Sequence, residues 1–260
     1  MSGRPFGKDD QGRPLNRTKG VTVRATVEYT LQCVVERTRR ELPADINPKE
    51  RADQIAKARA EALEQILARF NSVIVSPAYH LTASYLYNEG NAYSLEFDLF
   101  MSMICAEISQ DPKFHFNRGS RSISETIARL VRPLPLSQVY SLVPRFAAWF
   151  AATDFRVARV TANSATIQWR CAAELKHLQP DQHQAFIYYS CQFSQGAMAS
   201  IPKVLHGAPF SQVKEIRCLL KGDECCEWEF TWEEVEKKKN TIFNGFSRQP
   251  QAAQQPLSAI

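Results

Sequence analysis

The sequence predicts an α+β fold: a helical N-terminal half followed by a small antiparallel sheet packed with one long helix. Two observations carry this. Between residues 22 and 154 apolar side chains recur at helical spacing, and after 155 they alternate in short runs, as half-buried strands require. One helical run, 179–207, interrupts the alternating part. With 260 residues, 44% of them hydrophobic, the chain is long enough to bury a sizeable core.

The elements follow in order. Residues 1–20 are polar and contain Gly and Pro, and read as a disordered arm. Val23, Ala25, Val27, Leu31, Val34 and Val35 form one apolar stripe, so Thr22 to Leu42 is a helix that "ELPADINP" ends. The next helix starts at Asn47 as cap, with Pro48 in the first turn and Glu50 placed for a capping box. Its stripe runs from Ile55 to Phe70; packing on the domain and pairing with a second copy are both open to it. Residues 71–80 read as a loop with a short strand, and 91–111 as one buried helix holding Met103 and Cys105 in the core. "FNRGSRS" (116–122) offers Arg118, Arg121 and a glycine that could hold an anion, but reads better as a solvated turn. Residues 122–134 form a capped helix stopped by Pro133, and 135–154 another, broken or kinked at Pro144.

Then the period changes. Residues 155–171 give two antiparallel strands turning at "TANS". A long helix starts near Pro180 and ends by Pro202 or Gly207, and strands 212–220 and 225–232 join at "KGDE". The domain reading is an arm (1–20), a helical region (21–153), an α+β region (154–234) and a flexible tail or linker (235–260). The tail is rich in Gln, Ala and Pro.

Composition excludes some classes. A net charge of +5 with only "RTRR" and "EKKKN" as tight basic clusters argues against direct nucleic-acid binding. No apolar run reaches the ~20 residues of a membrane span, and no signal-type segment opens the chain, so a cytoplasmic location is expected. There is no Walker loop, GxGxxG, HExxH or CxxC. The five histidines (His80, His115, His177, His183, His206) read as surface or satisfied core residues.

The cysteines are the informative feature. Seven is an odd number, a reducing compartment disfavours disulfides, and four (Cys191, Cys218, Cys225, Cys226) lie within 36 residues. In the last strand Cys226, Trp228, Phe230 and Trp232 share one face, which should be the core face, leaving Cys225 outward. Cys218 shares a face with Ile216 and Leu220, so it can meet Cys226 across the hairpin. Cys191 and Glu215 are the nearest further donors for a four-ligand site. Positions three apart in a regular strand face opposite sides, so Glu215 joins Cys218 only if a bulge or the strand start intervenes. Spacing alone leaves a metal and a packed pair of thiols equally open.

The run Tyr188–Phe230, with Gly207, Glu215-x2-Cys218, Gly222 and Cys226, resembles the 4-vinyl reductase (V4R) domain family. That family also supplies the sensor modules of aromatic-responsive activators of the XylR/DmpR type. The resemblance implies a structural zinc held by Cys191, Glu215, Cys218 and Cys226, with Cys225 as a substitute for one of them. It also implies an α+β sandwich, related by fold to haem-based nitric-oxide sensors and vesicle-tethering subunits, that holds an apolar ligand between helices and sheet. Trp149, Phe150, Trp169, Tyr189 and Phe193 are the candidate pocket residues, among aromatics that also include Phe146, Phe155, Phe186 and Tyr188. The Tyr-x-Ser-x-Arg haem signature is absent. The expected function is a sensory module that binds an apolar, aromatic or tetrapyrrole ligand and signals to an output partner, with homodimerisation open. An enzyme or carrier of tetrapyrrole metabolism and an interaction scaffold of the Bet type are the alternatives.

Overall fold

The computed structural model describes residues 18–74, 77, 80–150, 154–176 and 178–233, with the side chains of 148–150 and 173 also outside the description. The proposed tail, most of the arm and His177 therefore lie outside the described residues. A short strand β1 (Thr18–Lys19) leads into α1 (Gly20–Glu41) and α2 (Pro48–Ser72). Asn47 caps α2 by accepting from the Lys49 amide at 2.9 Å, while Glu50 turns to Gln54 rather than back to the cap. The apolar stripe of α2 buries Ala62, Ile66 and Phe70 against the domain.

The expected strand in 71–80 is not seen among the described residues there; α2 runs on to Ser72. After α3 (Ala83–Leu86) comes β2 (Ala92–Tyr93), paired antiparallel with β1. The predicted helix over 91–111 thus starts later, as α4 (Leu95–Ser109). Ser94 accepts from the Phe97 amide at 3.1 Å and fixes that start, a cap that periodicity alone passes over. Val23, Val27, Leu31, Ile66, Phe70 and Phe97 build one apolar cluster from α1, α2 and α4.

The segment expected to be a solvated turn is instead a helix, α5 (Phe114–Ser120), with Arg118 and Gly119 buried. The physical reason is a close helix crossing. An added Cβ on Gly119 would stand 2.0 Å from the Phe193 carbonyl oxygen, and one on Gly196 would stand 1.9 Å from that of Phe116. Only glycine at both positions lets the two backbones touch. Then come α6 (Glu125–Val131), capped by Ser124, and α7 (Leu136–Ser141) and α8 (Val143–Phe150), which break beside Pro144 as expected.

Strands β3 (Asp154–Val160), β4 (Ser164–Arg170), β5 (Gln212–Arg217) and β6 (Cys226–Thr231) form a four-stranded antiparallel sheet in the order β3-β4-β6-β5. Between β4 and β5 lie the short α9 (Ala172–Leu175), then α10 (His183–Ala199) and α11 (Ile201–His206). The predicted single helix is broken at Ser200, because Pro202 supplies no amide to continue the ladder. On the core face Ala165 pairs with Phe230, Ile167 with Trp228 and Trp169 with Cys226. All six are buried, and each large side chain contributes about 1.5–3 kcal/mol by leaving water. The fold is α+β, with helices first and the sheet covered by α10. No helix among the described residues is long and apolar enough to cross a membrane.

Candidate functional site

Three buried thiols converge where α10 meets the sheet. Cys191 lies in the middle of α10, Cys226 opens β6, and Cys218 follows β5 directly. Their sulfurs all lie within 4.8 Å of one another, and the Cys191 and Cys226 Sγ atoms are 2.8 Å apart. The Leu219 amide donates to Cys226 Sγ at 3.5 Å. The hydrogen bond from Cys191 holds the Cys226 thiol below its usual range, while that same bond and burial push Cys191 up. Burial likewise raises Cys218.

The route by which Cys218 reaches the cluster is a bulge. Val213 and Glu215 pair with Phe230 and Trp228 on the core face, but the register slips between Glu215 and Arg217. Ile216 is the extra residue, so it points to solvent at 47% exposure, and Cys218 returns to the side of Glu215. Ile216 and Leu220 therefore do not share the buried face with Cys218, as plain alternation had suggested; both are exposed. A tight turn follows, with Gly222 at φ 91° and the Asp223 carboxylate accepting from the Cys218 amide at 2.7 Å.

Glu215 stands close enough for its charge to act on all three thiols. Its carboxylate accepts from Lys221 Nζ at 2.6 Å. Cys225 lies on the other face but is not outward in the sense of being exposed: it is 1% accessible. Beside it runs a polar chain, Arg217 to Glu227 at 3.0 Å and Gln168 to Glu227 at 3.2 Å, which covers that face. The three thiols are brought together, but the Glu215 carboxylate is not part of the group within 4.8 Å; three soft thiols fit zinc or a similar thiophilic ion.

A cavity of about 380 Å³ opens on the other side of α10, between that helix, the sheet and the N-terminal helices. Trp169, Tyr189 and Phe193 line it, together with Phe146, Phe155, Phe186 and Met198. Tyr188 is not among the lining residues and is 49% exposed. The side chains of Trp149 and Phe150 lie outside the described residues. Trp169 is also the cross-strand neighbour of Cys226, so cavity and thiol cluster share both α10 and the β4–β6 pair.

Sequence reasoning missed Asp98 and Glu174 and placed Arg118 in a solvated turn; all three are buried and line this cavity. Asp98 Oδ2 accepts from the Tyr189 hydroxyl at 3.2 Å and from Thr18 at 3.4 Å. Arg118 donates through Nε to Thr26 Oγ1 at 3.2 Å and through Nη2 to the Thr22 carbonyl at 3.0 Å, and it lies over the Phe193 ring. A charged residue in an otherwise apolar run, such as Asp98 in "SLEFDLF", was the available signal. Two described histidines have structural partners: His183 meets the Leu175 and Leu178 carbonyls, and His80 that of Ile74. His115 packs edge-on against Tyr189, and burial lowers it to about 4.

Burial raises Asp98 to about 6 from an ordinary 3.8, against the hydrogen bonds and Arg118 that oppose the rise. Between roughly pH 4 and pH 6 the folded chain keeps a proton that the unfolded chain has released, so stability falls as pH climbs through that window. The gap corresponds to about 3 kcal/mol at most. An Asp98→Asn variant is expected to be more stable than wild type at pH 7.5 by up to about that amount, and near wild type at pH 4. Urea unfolding at the two pH values checks this; equal differences at both would remove the ionisation as the cause.

No protein-family model and no curated protein matches the chain. Among solved structures, the Fe(II) unliganded H-NOX protein from K. algicida aligns at a TM-score of 0.49 and 13% identity, over 84% of this chain and 98% of that one. A single-residue mutant of that protein gives 0.44 and 11%, over 84% and 97%. Likenesses of this size carry no residue and no activity from one chain to the other.

Proposed function

We propose that this protein is a sensory or regulatory module that binds a small apolar or aromatic molecule and carries a structural zinc ion. The observation that carries the reading is the largely apolar cavity, lined by aromatic side chains, next to the sheet. Its 380 Å³ is at the low end of small-molecule sites, which run from about 300 to 1,000 Å³. One or two aromatic rings suit such a space better than a four-pyrrole macrocycle, so a tetrapyrrole is the weaker choice of ligand. The V4R resemblance of residues 188–230 supports the same reading.

Zinc would be held by Cys191, Cys218 and Cys226 with Glu215 as the fourth donor. Four protein ligands close the coordination sphere, so the ion supplies cross-linking rather than catalysis. The three thiols come from α10, from the end of β5 and from the start of β6, so the ion would tie that hairpin to the helix lining the cavity. A ligand that moves Trp169 or Tyr189 thereby reaches the hairpin, since Trp169 is the cross-strand neighbour of Cys226 and Tyr189 lies two residues before Cys191 on α10. Output to an effector protein or a second copy follows from such a shift.

Trp169 makes the binding claim measurable. Titration with naphthalene-sized aromatics is expected to change tryptophan fluorescence saturably, and a bulky Ala197→Trp substitution in the cavity wall to abolish the change. If no aromatic probe binds the wild type, and native mass spectrometry shows no co-purified small molecule, the sensory reading fails.

A further inference from the structure

Two carboxylates face this cavity with oxygens that nothing satisfies. Glu174 is 2% exposed, and neither of its carboxylate oxygens has a hydrogen-bond partner. Its own backbone amide acts against the effect of burial, without making a hydrogen bond to either oxygen. Asp98 is 5% exposed; its Oδ2 is occupied by Tyr189 and Thr18, but Oδ1 is buried and unpaired. Both residues line the cavity.

Buried carboxylates without partners are costly and are rarely left so. Two described cations line the cavity: Arg118, already committed to Thr22, Thr26 and the face of Phe193, and Arg121, which donates to Gln32 at 2.7 Å and lies over the Tyr29 ring of α1. Arg118 acts electrostatically on Asp98, and among the described residues Glu174 shows no comparable cation nearby; its charged neighbour there is Asp154, of like sign. Arg118 and Asp98 thus offset one another, Arg121 is turned to Gln32 and Tyr29 on α1, and Glu174 has no cation beside it among the described residues. The Trp169 indole N–H is also unpaired. A lone neutral donor is cheaper to bury than a carboxylate, so the carboxylates set the ligand class.

Resting on the proposed ligand-binding role, we infer that the ligand is an organic cation: an apolar or aromatic body bearing a protonated nitrogen that donates to Glu174, with Asp98 adding a second acceptor on the cavity wall. The walls agree with this. Phe155, Trp169 and Phe186 line the cavity, and aromatic rings attract a desolvated cation as well as a flat ring. A neutral hydrocarbon would bury the carboxylates without pairing them, and an anion would be repelled by Glu174.

Four probes of one size separate the classes at pH 7.5: naphthalene, 2-naphthol, 2-naphthylmethylamine (protonated) and 2-naphthoate, each titrated against Trp169 fluorescence or by calorimetry. The amine is expected to bind at least about tenfold more tightly than naphthalene, with naphthoate weakest. Glu174→Gln is expected to erase most of the amine's advantage while naphthalene affinity holds, and Asp98→Asn to reduce it in part. Equal affinity for amine and hydrocarbon would mean that solvent in the cavity satisfies the carboxylates, and would overturn the inference while leaving the binding role intact. Tighter binding of the naphthoate would overturn it too, assigning recognition to Arg118. Binding of none of the four would remove the binding role as well.

Discussion

Replacing Gly196 with alanine is expected to destabilise the protein by more than about 3 kcal/mol, the upper range for overpacking a tight contact. Helix propensity predicts the opposite sign, since alanine in a helix interior is better than glycine by about 1 kcal/mol. The crossing of α5 and α10 decides between them. A Cβ at 196 would stand 1.9 Å from the Phe116 carbonyl oxygen, and backbone cannot rotate away as a side chain can. Gly119→Ala meets the Phe193 carbonyl at 2.0 Å and is expected to behave alike. For a domain of this size, 3 kcal/mol lowers the melting temperature by about 6–12 °C. A melting curve that rises, or does not move, would mean that the two helices do not touch at their glycines. The same crossing positions Phe193 and Arg118 on the cavity wall, so ligand affinity is expected to fall with stability.

The wild-type protein is expected to carry about one zinc per chain, and Cys226→Ser to lose it. Bound metal stabilises by mass action, by about 4 kcal/mol when its free concentration is a thousandfold above Kd, so the variant's melting temperature is expected to drop by roughly 10 °C. Chelator should produce a comparable drop in wild type and almost none in the variant. Cys225→Ser is the control: Cys225 is buried beside Cys226 but on the opposite face, outside the group of sulfurs within 4.8 Å. It is expected to keep the metal. Elemental analysis of the three proteins settles the matter, and a wild type free of stoichiometric metal would reduce the cluster to packed thiols. Glu215→Gln tests the fourth donor, with an intermediate loss of zinc expected.

Local rules explain how much of this was readable in advance. The switch from helical to alternating period, the caps at Asn47 and Ser124 and the break at Pro144 each depend on residues close in sequence, so they survive folding unchanged. The burial of Trp228 and Phe230 on one strand face is of the same kind. Cys226 followed by the same alternation. Cys218 did not, because the extra residue Ile216 shifts the face of everything after it, and a bulge is set by the partner strand rather than by the bulged one.

The amino-acid sequence by itself thus determined the order and kind of most elements, and which cysteines sit near one turn. Tertiary structure alone decided that Arg118 and Gly119 of "FNRGSRS" are buried and that Arg118, Asp98 and Glu174 share one cavity, whereas the meeting of a sulfur on α10 with two from the hairpin was already implied by the family resemblance. The reason is distance along the chain. Asp98 meets Tyr189 across 91 residues and Arg118 meets Thr26 across 92, and no period or cap reports a contact of that separation. Such contacts are fixed by how helices and sheet pack, here by two glycines that let α5 and α10 approach.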